Sequence, residues 1–417
     1  MQFKFKPCLI ATLISTALLA GCGESTSSSK GPNFGGGDDG NNPPPPTNFD
    51  EKALIENLVD NVITPVQNQL TSQSAVLVSQ VESLCTAYSD GIENTAQLDL
   101  VQAEWRNTMA LWQQIEAMQL EPLTVNDSQL RNLVYSWPNQ VSSCGVDQDV
   151  IHHENGNISG TPYDISRRSV TRRGLDANEY LLFSTNLDHT CSSNSGIVEG
   201  WNQRPDAERR LARCEYAITV TQDLQANIAT YIDAWDGADG YALKIKNADV
   251  ADNGFESLHD AVNVISDSLF YLDKELKDTK LGAPLGIFAN SCGGATCPVD
   301  VESPYSHNSL LNIENNLVAF KALFSGEGID AENTLGFDDF LIHEQDQQTA
   351  DIMLDGVNNA LISVKAINGT LAGAVINDND QVQQTYDDVK QVSDQLKTNF
   401  IESLALELPK TSAGDND

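Results

Sequence analysis

Apolar residues recur along most of this chain at steps of three and four, and no segment sustains the alternation of a half-buried strand. The longest run is Phe255, Leu258, Val262, Ile265, Leu269, Leu272 and Leu276, which predicts one face of a helix in a bundle with shallow crossing angles. Val220, Leu224, Ile228, Tyr231 and Trp235 predict another long helix, and Val101, Trp105, Trp112 and Ile115 a third. Near the start, Leu54, Leu58, Ile63 and Val66 are interrupted by Pro65, so a helix pair or a kinked helix is expected. Leu310, Ile313, Leu317, Phe320 and Phe324 predict a helix after Pro284. Residues 350–376 and 380–408 predict two more, the last through Val382, Tyr386, Val389, Leu396 and Phe400. The fold class that follows is all-α.

Breakers punctuate the pattern. Pro122 ends one helix, Asn126-Asp127 offers a cap for the next, and Tyr135-Ser136-Trp137-Pro138 stops helical structure, because the residue before proline is pushed from the α region. His152-His153-Glu154 follows in a polar loop; adjacent histidines point different ways, so the triplet is a poor metal site. From Leu187 to Asp206 the chain is polar and reads as a surface excursion stapled back through Cys191 to Cys214.

The beginning of the chain is of another kind. Lys4 and Lys6 precede an apolar run from Leu9 to Ala20, too short to span a bilayer, and then Leu19-Ala20-Gly21-Cys22. Residues 1–21 read as a lipoprotein signal, with Cys22 as the lipidated residue. Gly23 in place of Asp directs the expectation to the bacterial outer membrane, with the folded part in the periplasm or at the cell surface. Residues 22–48, rich in Ser, Gly, Asn and Asp and holding Pro43 to Pro46, read as a flexible tether with a short stiff piece.

The formal net charge is -35. Loss of Lys4 and Lys6 with the signal lowers the 24 basic residues to 22 against 59 acidic, giving -37. Such a chain repels nucleic acid and anionic lipid surfaces, while a cationic ligand is favoured, as is plain solubility. Apart from Cys8 and Cys22, the cysteines are Cys85, Cys144, Cys191, Cys214, Cys292 and Cys297, an even set that points to disulfides in an exported protein. Their order suggests Cys85 with Cys144, Cys191 with Cys214, and Cys292 with Cys297. Zinc lacks the close Cys/His pairs that it needs.

The most unusual chemistry lies between Arg172 and Phe183. Leu175 and Leu182 fall on one helical stripe, and Arg172, Asp176, Glu179 and Tyr180 on another. Two carboxylates and a guanidinium would share one face of a helix that is oily on the other, with Gly174 at its start or under a close backbone. An Arg172/Asp176 ion pair on a solvated face satisfies the same spacing.

Gly174-Leu175-Asp176-Ala177-Asn178-Glu179 resembles the Gly-x-His-x-x-Glu signature of imelysin-like proteins, with Asp176 in place of the histidine. Trp105-Arg106-Asn107-Thr108-Met109-Ala110-Leu111-Trp112-Gln113, Tyr135-Ser136-Trp137-Pro138, and Lys280 to Gly286 with Val301 to Ser306 resemble further segments of the same family, in the same order. The resemblance implies two up-and-down helical bundles packed side by side, assigned to residues 49–215 and 216–417. It also implies a cleft lined by Trp112, Arg172, Arg173, Lys280, Ser303, Ser306 and Asn308, with Asp176, Glu179 and Glu302 as metal ligands. Three readings compete. One is capture of iron or another divalent cation, free or as a complex, in iron acquisition, with delivery to an iron-uptake membrane protein. The second is metal-dependent peptide hydrolysis, weakened by the absence of His-Glu-x-x-His and of the signature histidine. The third is an ion-pair network of Arg172 and Arg173 with Asp176, Glu179 or Glu302 that fastens the bundles with no ligand.

Overall fold

The computed structural model describes residues 48–92, 95–328, 334–409 and 412. The expected signal, Cys22 and nearly all of the tether lie outside the described residues. The main helices are α1 (Thr64–Ser89), α2 (Thr95–Ala117), α3 (Ser143–Glu154), α4 (Gly174–Phe183) and α5 (Asp206–Asp236). They are followed by α6 (Leu258–Leu269), α7 (Ser309–Ser325), α8 (Gln347–Ala366) and α9 (Asn379–Gln395). Strand among the described residues is one two-residue hairpin, Asn157–Ile158 with Thr161–Pro162, in the register Asn157 to Pro162 and Ile158 to Thr161.

The helices form two groups, as the family resemblance implies. In the first, α1 packs along α2 and α5, and α4 lies against α2 and α5; in the second, α7, α8 and α9 pack with the wide-turned helical segment Leu272–Gly282. The contact of α2 with α7 joins the two groups. The predicted stripes are the cores: Val101, Trp105, Trp112 and Ile115 are buried, as are Val220, Leu224, Ile228, Tyr231 and Trp235. Each large apolar side chain so buried contributes about 1.5–3 kcal/mol, which outweighs the weak intrinsic helix propensity of these sequences. Helix α5 runs unbroken through residues 215 and 216, so the assigned boundary between the bundles falls inside a helix that packs on α1 throughout.

Local departures from the pattern have identifiable causes. Pro65 does not separate two helices: Leu58–Ile63 widens into π turns, and the proline takes a place in the first turn of α1, where its missing N–H costs little. The long stripe from Phe255 to Leu276 is not one helix, because α6 ends at Leu269 and the chain continues as the π-type segment Leu272–Gly282. Leu269, Leu272 and Leu276 are nonetheless all buried. Residues 350–376 are not one helix either. Helix α8 ends at Ala366, Gly369 adopts a positive φ of 82°, and Leu371–Asn377 leaves at an angle of 87°. No single described helix is long and apolar enough to cross a membrane.

The disulfides correct two of the expected pairings. Cys292 joins Cys297 as expected, but Cys85 joins Cys214 and Cys144 joins Cys191. Helices α1 and α5 run antiparallel. Trp235 Nε1 donates to Thr64 Oγ1 at 3.0 Å and Gln67 Nε2 to Tyr231 Oη at 2.5 Å at one end, which places Cys85 beside Cys214 at the other. The excursion after α4 folds back over the first turn of α3 and meets Cys144 there, so Cys191 is not held to Cys214. Order along the chain is a poor guide to pairing where antiparallel helices bring distant residues level.

Candidate functional site

Helix α4 is placed by its first residue. Gly174 has a φ of 70°, and a Cβ there would lie 2.6 Å from the carbonyl oxygen of Val134, so only glycine allows both the turn and the close approach. Trp105 Nε1 donates to Leu175 O at 3.2 Å and fixes the helix against α2. The helix is buried on nearly every side, and Asp176 and Glu179, one turn apart, are 6% and 3% exposed.

Both carboxylates line a cavity of about 80 Å³ whose walls include Tyr135, Trp137, Ser303 and Tyr305. Their hydrogen bonds fall on one oxygen each. Asp176 Oδ2 accepts from Ser136 N at 2.7 Å. Glu179 Oε1 accepts from Tyr305 N at 3.1 Å and from the N–H and hydroxyl of Ser306, both at 2.8 Å. The second oxygen of each has no donor among the described residues. The donors are neutral, so the negative charge is held without being cancelled by an ion pair. Burial pushes the Asp176 carboxyl up to about 7 against the pull of its bonds to Ser136, and Glu179 beside it adds to the rise. Burial likewise raises Glu179 to about 7, opposed by Ser306 and Tyr305 and assisted by Glu302. Burial first, and then the nearby carboxylates of Glu302, Asp176 and Glu179, hold the Tyr135 phenol well above its ordinary value.

Glu302 is buried behind this cavity in a different setting. Its Oε1 accepts from Tyr135 Oη at 2.9 Å and Gln113 Nε2 at 3.0 Å, and its Oε2 lies 3.1 Å from Lys280 Nζ. Lys280, 1% exposed, also donates to Gln113 Oε1 at 2.5 Å and Asn316 Oδ1 at 2.9 Å. Glu116 and Arg131 pair beside it. This network joins α2 to α7 and the segment Leu272–Gly282, and it neutralises Glu302 with a lysine. Trp112 is wholly buried on α2 with an indole N–H that has no hydrogen-bond partner among the described residues, and it is not part of the cavity wall. Ser303 lines the cavity, Ser306 caps Glu179, and Asn308 donates to Asn312 at 2.7 Å.

The arginines stand elsewhere. Arg172 lies 3.5 Å from Asp149, and Arg173 pairs with Asp223 at 2.5 Å, so neither joins Asp176, Glu179 or Glu302. Arg172 would share the face of Asp176 only on one continuous helix, whereas α4 starts at Gly174 after the 3-10 turn Val170–Arg172 and an extended Arg173. The network of the third reading therefore does not form, and the buried charges that join α2 to α7 and Leu272–Gly282 are instead Lys280, Glu302, Glu116 and Arg131. His152-His153-Glu154 form the end of α3 and not a loop; His153 Nε2 meets Thr219 Oγ1 at 2.8 Å and Glu154 binds Arg204, so the triplet is dispersed. Among the described residues no group of three or more His, Cys, Asp or Glu converges on a metal position.

Sequence reasoning about α4 did not single out Tyr135, Ser136, Trp137, Tyr305, Gln113 or Arg131. Most of these lie in the short segments that carry the family resemblance, which was the only signal available for them.

The imelysin family model, a peptidase-class family by name, matches residues 63–398, and the chain belongs to that family. Among curated proteins none matches. Among the solved structures that share the fold are the following two. One, from Parabacteroides distasonis, is named as an iron-regulated protein A precursor and is 18% identical, with a TM-score of 0.65 over 86% of this chain and 96% of that one. An imelysin-like protein from Psychrobacter arcticum is 16% identical, with a TM-score of 0.64 over the same shares.

Proposed function

We propose that this imelysin-family chain is an extracytoplasmic lipoprotein that binds a metal ion or metal complex, iron foremost, through Asp176 and Glu179. The observation that carries the reading is the pair of buried carboxylates on one helical turn, each bonded by neutral donors through one oxygen only and both lining one cavity. Oxygen ligands of this kind suit hard cations such as iron, Mg²⁺ or Ca²⁺. Two carboxylates supply only part of a coordination set, so the guest keeps ligands of its own, as a hydrated ion or a chelate does; Ser303 and Tyr135 are further oxygen donors at the wall. Glu302 serves to position Tyr135 and is held by Lys280. Zinc-type peptide hydrolysis fits less well, since it calls for three protein ligands and an open position, and this chain has Asp176 where the signature has histidine.

The disulfides are of the kind that persist in an oxidising compartment, in keeping with a signal and a lipid on Cys22. In this reading iron is the cargo, in keeping with the iron-regulated name of one structural neighbour, and a membrane protein of iron uptake is the recipient. Calorimetric titration of the purified protein with ferrous iron and with ferric citrate, beside Asp176→Asn and Glu179→Gln, tests the site. Each variant is expected to bind at least about tenfold more weakly. Equal affinity in all three removes the site. Chelator-sensitive cleavage of an unfolded protein that disappears in Glu179→Gln would establish the peptidase reading instead.

A further inference from the structure

A second and larger cavity, of about 280 Å³, lies at the other end of α4 among the ends of α1, α2 and α5. Its wall has Leu84, Leu98, Leu181 and Phe183 on one hand, and Arg210 and Arg213 on the other. In a chain of net charge -35 a cavity lined by two guanidiniums and no carboxylate is the reverse of what composition alone would place there. Cys214, bonded to Cys85, closes one side and fixes α1 and α5 at this level.

Arg213 carries the argument. It is 3% exposed, donates through Nη1 to Asn186 O at 2.7 Å, and through Nη2 to Asp147 Oδ1 at 2.8 Å, Tyr180 Oη at 3.0 Å and Asp188 O at 3.2 Å. Its Nε–H is buried with no acceptor among the described residues. Asp147 and the protein oxygens hold Arg213 in place, and it stands in the cavity wall as a fixed guanidinium. Arg210, partly exposed and stacked over Tyr88 at 5.8 Å, adds a second positive charge at the same wall. The leucines and Phe183 offer apolar surface to whatever the acceptor is attached to, and the volume lies near the lower end of small-molecule pockets, which begin at about 300 Å³.

We infer that this cavity is a second ligand site, separate from Asp176 and Glu179, that takes a small organic anion with an apolar body, a monocarboxylate being the simplest. The carboxylate meets Arg213 and Arg210, and the chain or ring lies on the leucines.

Isothermal titration of the purified protein with sodium octanoate, octanamide and octylammonium chloride tests the inference. The same titrations are run on Leu98→Trp, which fills the cavity from a half-buried position, and on Arg210→Gln. Octanoate is expected to bind saturably at one site, octanamide at least about tenfold more weakly, and Arg210→Gln to lose about tenfold for octanoate, the loss that accompanies one charge-assisted bond. Octylammonium and Leu98→Trp are expected to give no saturable heat, and Asp176→Asn to leave octanoate affinity unchanged. The inference is overturned if octanoate shows no saturable binding, if octanoate and octanamide bind alike, or if Leu98→Trp binds as the parent does with its thermal transition intact.

Discussion

The two cavities stand at opposite ends of the same ten-residue helix, and their chemistry is opposite. In the first half of α4, Asp176 and Glu179 receive neutral donors from the segments at Ser136 and Tyr305–Ser306, and neither is paired with a protein cation. At the carboxyl end, Arg210 and Arg213 gather from α5 around Leu181 and Phe183. Asp176 lies in the first turn of α4, where the helix dipole favours an anion, and the arginines of α5 stand beside its last turn, where it favours a cation. The comparison teaches that sign alone does not make a site. Glu302 and Lys280 are charged and central too, yet they line neither cavity and act as a joint between the two groups of helices.

The largest expected effect sharpens the contrast at the basic end. Arg213→Ala would leave Asp147 buried without its cation, costing about 3–5 kcal/mol in chemical denaturation; a loss under about 1 kcal/mol would show that Asp147 has other support. Replacing Cys85 and Cys214 together by serine should cost about 2–5 kcal/mol and impair octanoate binding while sparing the acidic cavity. Comparable loss at both ends would mean that the cavities form one unit.

At the acidic end the sign is worked from the carboxyls. Folded-state values of about 7, against ordinary values of 3.8 for Asp176 and 4.5 for Glu179, mean that the folded protein holds more protons in between. Stability contributed by these groups is therefore present at about pH 4 and falls as pH rises through about 7. Asp176→Asn and Glu179→Gln should flatten that slope, gaining on the order of 2 kcal/mol at pH 8 relative to their own parent while matching it near pH 4. Thermal unfolding across pH checks this, and an unchanged slope would place the titration elsewhere.

The smallest effect concerns the residue that touches both ends. Arg106 Nη2 donates to Ser306 O at 3.3 Å, and its guanidinium lies 4.7 Å over the Phe183 ring. Arg106→Gln should cost about 0.5–1 kcal/mol and weaken each ligand slightly, as read by denaturation and by both titrations. A marked loss at one end alone would show that Arg106 serves that site only.

Much of this architecture was legible without coordinates. The apolar stripes placed the helices and their buried faces, because burial of Trp105, Trp112 or Trp235 at a period of 3.6 has no other outlet. The spacing of Asp176 and Glu179 put both on one turn, but left open whether that turn is buried or solvated, which the structure decides in favour of burial. What chain order could not supply was the identity of the groups brought beside them: Ser136 and Tyr305 to the carboxylates, Asp149 and Asp223 to the arginines, Cys214 to Cys85. The second cavity was invisible in the sequence for the same reason, being assembled from four separate stretches. Periodicity is a local property, written into each helix by its own residues. Partnership depends on which helices lie level after packing, and only the assembled bundle decides that.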